Sequence, residues 1–137
     1  MHYEKNNSLE LFFCYNKFMM DNRKIIGGSG EDIAAEYLEE KGYKIINRNL
    51  KVRYGEIDIL AEDNDMIVLV EVKTKTIFKQ GTPEEMVDYF KKKKLLLLSR
   101  AICQQYPDRT VRIDVVAVDL TEIHPKINHI INAIEGK

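Results

Sequence analysis

Cysteine is scarce in this chain. Cys14 and Cys103 are the only two, with no CxxC pair and no leader of secretory type, so the sequence offers neither a disulfide framework nor a structural zinc site. A reducing, cytoplasmic setting is the expectation. Long apolar runs are missing too: Met66 to Val70 and Leu95 to Leu98 fall far short of the ~20 residues a membrane-spanning helix needs, so no membrane partner is expected. Nor is there an excess of positive charge. The net charge of −1 argues against a generic nucleic-acid-coating protein, which works by neutralising many phosphates. Glycines 27, 28 and 30 lack the following Lys-Ser or Lys-Thr of a phosphate loop. No nucleophile-elbow motif surrounds Ser29, Ser99, Cys14 or Cys103. His2, His124 and His129 have no metal-binding partners at useful spacing and are assigned no role.

What is present is enough apolar material, 45% of 137 residues, for a single core. Residues 1–26 mix Phe12, Phe13, Phe18 and two methionines with Asn and charges; they read as an appendage, with Met19 or Met20 as alternative starts. Residues 27–137 read as the domain proper. Ser29, followed three residues later by Asp32, resembles a capping box opening a helix that carries Ile33, Ala34, Tyr37 and Leu38 and stops at Gly42. Three strand-like stretches follow, Tyr43 to Lys51, Glu56 to Glu62 and Met66 to Thr74, implying an antiparallel meander. Pro83 opens a long helix with an apolar stripe of Val87, Phe90, Leu97, Leu98 and Ala101, ending near Pro107. Val111 to Leu120 reads as a buried strand, and residues 126–134 as an edge strand or short helix. The order is α-β-β-β-α-β, an α/β fold with a central mixed sheet flanked by helices.

Charge is unevenly placed. Lys41, Lys44, Arg48, Lys51 and Arg53 occur without an intervening acid, while Asp and Glu gather near residues 31–40 and 56–71. A basic flank beside an acidic centre suits nucleic-acid cleavage at a metal site, although Lys and Arg along a sheet edge also prevent aggregation.

The turn formers Asp63, Asn64 and Asp65 join the second and third strands. With Asn64-Asp65 at the tip, residue 63 pairs with 66, Asp58 lies opposite Glu71 and Glu56 opposite Lys73. Alternation then puts these four on one face, and Ile57, Ile59, Val70 and Val72 on the other. Opposed carboxylates, with β-carbons ~5 Å apart, repel unless a cation sits between them. Hard oxygen ligands at this spacing suit Mg2+ or Mn2+, and with them phosphodiester hydrolysis, with Lys73 orienting water or neutralising developing charge. Spacing alone also admits two solvent-facing acids offset by a Glu56-to-Lys73 pair. The apolar flanks Val68, Leu69, Val70 and Val72 favour chemistry, because uncompensated charge on a strand covered on both faces is costly.

Gly55-Glu56-Ile57-Asp58 followed by Val70-Glu71-Val72-Lys73 resembles the PD-(D/E)XK nuclease signature. Further blocks, Gly30-Glu31-x-x-Ala34, Gly42-Tyr43, Arg48-Asn49, Gly81, Pro83, Val87 with Lys91, and Arg112-x-Asp114, fall in the order of the bacterial YraN family, which is similar to Holliday-junction resolvases. The resemblance spans roughly residues 28–134. It implies a restriction-endonuclease-like fold, metal ligands at Asp58 and Glu71 with Glu31 as a supporting carboxylate ligand, a catalytic Lys73, and a dimer acting on DNA, including branched DNA. A first-turn acid such as Glu31 is also favoured by the helix dipole alone. Lys75 stands where the family usually has Arg, keeping charge without bidentate phosphate recognition. With Lys91, Arg48 and Arg53 it completes the expected nucleic-acid contacts. Lys91 to Lys94 cannot all share one solvent face, and Lys94 falls on the apolar stripe. Arg112 and Asp114 either support the site from a neighbouring strand or form a surface ion pair. The functional expectation is a Mg2+- or Mn2+-dependent endonuclease; the alternative is a non-catalytic nucleic-acid-binding protein that retains the fold.

Overall fold

The computed structural model describes residues 23–77 and 89–134. Expectations placed on the appendage, on Gly81, Pro83 and Val87, and on the start of the second helix lie outside these residues. Seven elements follow one another: α1 (Arg23–Glu40), β1 (Lys44–Val52), β2 (Gly55–Asp63), β3 (Met66–Lys75), α2 (Tyr89–Gln105), β4 (Val111–Asp119) and β5 (Lys126–Ile130). The strands form one sheet in the order β1-β2-β3-β4-β5. The first three are the expected antiparallel meander. β4 runs parallel to β3, as a helical crossover allows, and β5 pairs antiparallel with β4, making the tail an edge strand. No described helix is long and apolar enough to cross a membrane.

Each face of the sheet carries one of the two described helices. Ile33, Ala34 and Leu38 of α1 pack with Ile59, Ala61, Val68, Val70, Val116 and Val118; Leu95, Leu98 and Ile102 of α2 pack with Leu60, Ile67, Leu69 and Ile113. β3 is therefore covered on both sides, which is why Ile67 to Val70 is an unbroken apolar run instead of an alternation.

Three expectations need correction. α1 does not begin at a Ser29 cap: residues 27–30 lie inside the helix, which starts at Arg23. A cap contributes only about 1 kcal/mol, too little by itself to fix where a helix starts. A Cβ on Gly30 would overlap the Thr74 side chain, so glycine is what lets this helix lie close over β3. Second, the buried face of α2 is Leu95, Leu98 and Ile102, whereas Leu97 is 37% exposed. Four consecutive leucines leave the helical phase undetermined by sequence, and the sheet selects it. Third, Ile57 does not stay with Ile59, Val70 and Val72 but packs in the α2-side cluster with Leu50 and Val52 nearby.

Candidate active site

That departure of Ile57 marks the start of the site. The β2–β3 register is the expected one, from Asp63↔Met66 to Ile59↔Val70, but the ladder ends there. Beyond it β3 keeps its pairing with β4 through Lys75↔Asp119, while β2 parts from it. The strands fork, and Asp58 with Glu71 lies just past the last pair instead of forming a pair of its own. The N–H of Val72, left without a ladder partner at the fork, donates to Asp58 Oδ2 at 2.8 Å, which satisfies a buried donor and fixes the carboxylate.

The expected Glu56-to-Lys73 pair does not form. Lys73 Nζ instead lies 3.1 Å from Glu71 Oε1, two residues back on the same strand and face. The ammonium is nearly covered, with Lys73 only 8% exposed. Burial works against its charge, but the carboxylates of Glu71 and Asp58 offset this, and its pKa is held above the ordinary lysine value. The Asp58 pKa is raised as well, which here disfavours the charge: burial, then the negative charges of Glu71 and Glu31, overcome the Val72 hydrogen bond and Lys73, pushing it up to about 7.

Glu56 turns to a partner the sequence did not disclose. With its amide nitrogen turned toward the two carboxylates, Asn49 donates to Glu56 Oε1 at 3.1 Å and to Glu31 Oε2 at 3.0 Å, joining α1, β1 and β2. Asn49 has φ of 52°, a left-handed conformation asparagine tolerates better than most residues. Its neighbour Arg48 is tied to Asp32 of α1. Partial burial raises the pKa of Glu31 against the pull of Arg48. The only sequence signal for this bridge was the Arg48-Asn49 block itself.

Above the fork is a cleft of about 290 Å³. Glu56, Asp58 and Glu71 line its sheet side, and Lys91, Lys94, Leu95 and Leu98 its helix side. Lys94 does not enter the apolar stripe; it is exposed, and its stem passes over Gly55. Of the remaining expected contacts, Arg53 lies with its guanidinium 5.4 Å from the Tyr54 ring centroid at the β1–β2 turn, and Lys75 stands beside Asp119.

Arg112 and Asp114 do neither of the two things the sequence allowed. Asp114 is fully buried and accepts from Arg112 Nε at 2.8 Å, from Arg112 Nη2 at 2.9 Å and from the Asn132 N–H at 3.0 Å, with His129 Nε2 at 2.7 Å. Arg112 also donates to the Tyr43 hydroxyl and to Asp63. Burial alone would raise the Asp114 pKa, but the His129 and Arg112 bonds reverse it and hold it below the usual range. The network shares the α1 side of β4 with Val116 and Val118, away from the cleft.

Among the described residues, no three His, Cys, Asp or Glu side chains are arranged to hold a metal by themselves. The donor chemistry nonetheless fits a hard divalent ion. Asp58 and Glu71 are neighbouring oxygen donors, and burial followed by the Glu71 charge pushes the Asp58 pKa up to about 7; Mg2+ is commonly fixed by one or two carboxylates, with water and substrate phosphate completing its shell.

Comparison with known proteins adds the lineage. A UPF0102 protein of Caldanaerobacter subterraneus subsp. tengcongensis is 40% identical over 117 residues, covering 82% of this chain and 96% of its own. A UPF0102 protein of Alkaliphilus oremlandii is 46% identical over 118 residues, covering 80% and 97%. Among solved structures, a repair endonuclease from Pyrococcus abyssi is similar at 21% identity and a TM-score of 0.43, covering 66% of this chain and 38% of that one. The model of the uncharacterised protein family UPF0102 matches residues 30–118, which include α1 from Gly30, the fork and β4 up to Val118. The chain belongs to this family, UPF0102, the YraN family that its motifs resemble.

Proposed function

We propose that this protein is a metal-dependent nuclease that hydrolyses phosphodiester bonds of DNA, branched DNA included, in the cleft above the β2–β3 fork. One observation carries the reading: a carboxylate pair, Asp58 and Glu71, crowded at the fork beside a buried lysine. The motif resemblance to PD-(D/E)XK nucleases supports the same assignment independently of the geometry. Asp58 and Glu71 would hold Mg2+ or Mn2+. A bound divalent ion supplies Lewis-acid activation of the scissile phosphate and lowers the pKa of water. Lys73 keeps its charge, as its raised pKa requires, and places an ammonium where negative charge develops on the reacting phosphate. Glu31 acts from α1 by adding negative charge near Asp58 and, through Asn49, by fixing Glu56. Lys91, across the cleft, faces the phosphate chain.

The test is cleavage of labelled linear, flapped and four-way-junction DNA with Mg2+, Mn2+ or EDTA. Metal-dependent cutting is expected for the wild type and should fall by at least about 100-fold in Asp58→Ala and Lys73→Ala, the scale at which one electrostatic contributor acts. A second reading, a nucleic-acid-binding protein without catalysis, uses the Lys91 and Lys94 side of the cleft and needs no metal. Equal binding by all three proteins with no cleavage of any substrate would select it.

A further inference from the structure

The β1–β2 turn adjoins the cleft through Glu56 and Lys94, and the proposed hydrolysis makes no use of its aromatic residue. Arg53 and Tyr54 connect Val52 to Gly55, the last pair of the β1–β2 ladder, and the next residue, Glu56, lines the cleft. Tyr54 is 44% exposed. Tyr37, Tyr43 and Tyr106 are all buried or half-buried, so among tyrosines with described side chains this ring alone opens to solvent. The Arg53 guanidinium flanks it at 5.4 Å.

Gly55 brings a second element to the same place. Its φ of +146° is a conformation that L side chains rarely adopt, and a Cβ there would come within 2.9 Å of Lys94 Cε and 3.4 Å of its Nζ. Glycine thus lets the Lys94 stem cross directly over the turn's end while the residue lines the cleft. Arg53 and Lys94 are both exposed. In a chain of net charge −1, one cation against the open ring and a second crossing over the following residue form a local site for an anion that carries a flat apolar face.

A nucleotide is such an anion. Every base has a face to stack, and aromatic rings flanked by cations bind single strands in this way with little sequence preference. A base inside a duplex has both faces already occupied by its neighbours. We propose that Tyr54 stacks an unpaired base, with Arg53 and Lys94 on the flanking phosphates, so that the substrate is nucleic acid with a single-stranded segment leading into the cleft. The inference rests on the nuclease reading and narrows its substrate class.

Fluorescence anisotropy in EDTA tests it without requiring turnover, using labelled oligothymidylate, oligouridylate and a blunt DNA duplex of equal length. Either single strand should bind more tightly than the duplex. Tyr54→Ala should weaken single-strand binding about 5- to 140-fold, the range expected for losing one stacked base, and leave duplex binding unchanged. Tyr54→Phe keeps the ring and should bind like the wild type. Lys94→Gln should lower the slope of log K on log salt by about 0.7, as for one phosphate contact on a single strand. Preference for the duplex, or Tyr54→Ala binding single strands as the wild type does, overturns the inference. If Asp58→Ala abolishes cleavage while Tyr54→Ala cuts flapped and linear DNA at wild-type rates, this inference falls and the nuclease reading stands. If no nucleic acid is bound by any protein, both fall.

Discussion

Asp58 is held by a backbone N–H that favours its charge and surrounded by burial and carboxylates that oppose it, and the opposition wins. With a folded-state pKa of about 7 against 3.8 for the ordinary group, the native state prefers the protonated acid. The stability from that proton is fully present below about pH 4 and is lost as pH rises towards 7. Asp58→Asn keeps an oxygen for the Val72 N–H and removes the charge. Thermal unfolding in EDTA should therefore show the variant gaining on the wild type across about pH 4 to 7, with a plateau advantage of about 2–4 kcal/mol above that. Excess Mn2+ should narrow the gap at pH 8 by stabilising only the wild type, since a ligand stabilises the state it binds. A gap independent of pH would mean that Asp58 titrates normally. The identity of this residue was legible in the sequence from the acid-then-Glu-x-Lys spacing. Its pKa was not, because it depends first on the burial of the fork and then also on Glu31, both set by distant packing.

At the scale of elements, local pattern carried the meander and its register. Alternation within each strand and the turn formers Asn64 and Asp65 operate over a few residues, and Asn64 indeed takes a left-handed φ of 53°. Where the ladder ends is a different kind of fact. Nothing in Gly55-Glu56-Ile57-Asp58 announces that β2 leaves β3 after Ile59↔Val70, because the parting is set by what Ile57 packs against beneath α2. The start of α1 was misjudged for a related reason: Gly27 to Gly30 look like a flexible approach until Thr74 is seen against Gly30. Gly30→Ala should therefore destabilise the protein by about 1–3 kcal/mol, a typical overpacking cost, even though alanine is the better helix former. Thr74→Ala should recover part of the loss. A double-mutant cycle by urea unfolding measures that coupling, and purely additive effects would show that the two side chains do not meet.

For the whole molecule, one sheet serves two layers with different tasks. The α1 layer closes over Val68, Val70, Val116 and Val118, and on that side the buried Asp114 network ties β4 to Tyr43, to His129 of β5 and to Asp63 at the hairpin tip. Its partners come from four separate parts of the chain, so no motif could have revealed it, and His129, which the sequence left unassigned, is one of its members. The α2 layer is both core and site: Leu98 is buried with Ile57, Leu60, Leu69 and Ile102 and also lines the cleft beside Lys91 and Lys94. The position of the helix-borne lysines over Asp58 and Glu71 thus depends on how α2 docks. Two equivalent truncations separate stability from this positioning. Leu38→Ala under α1 and Leu98→Ala under α2 each delete a fully buried leucine and should each cost about 2–5 kcal/mol. Compared at temperatures where both variants remain folded, Leu38→Ala should bind and cut nucleic acid like the wild type, whereas Leu98→Ala should lose affinity and rate because its lysines shift with the helix. Equal losses in both variants, read by anisotropy and by cleavage per folded molecule, would mean that the cleft follows global stability and that the docking of α2 has no separate role.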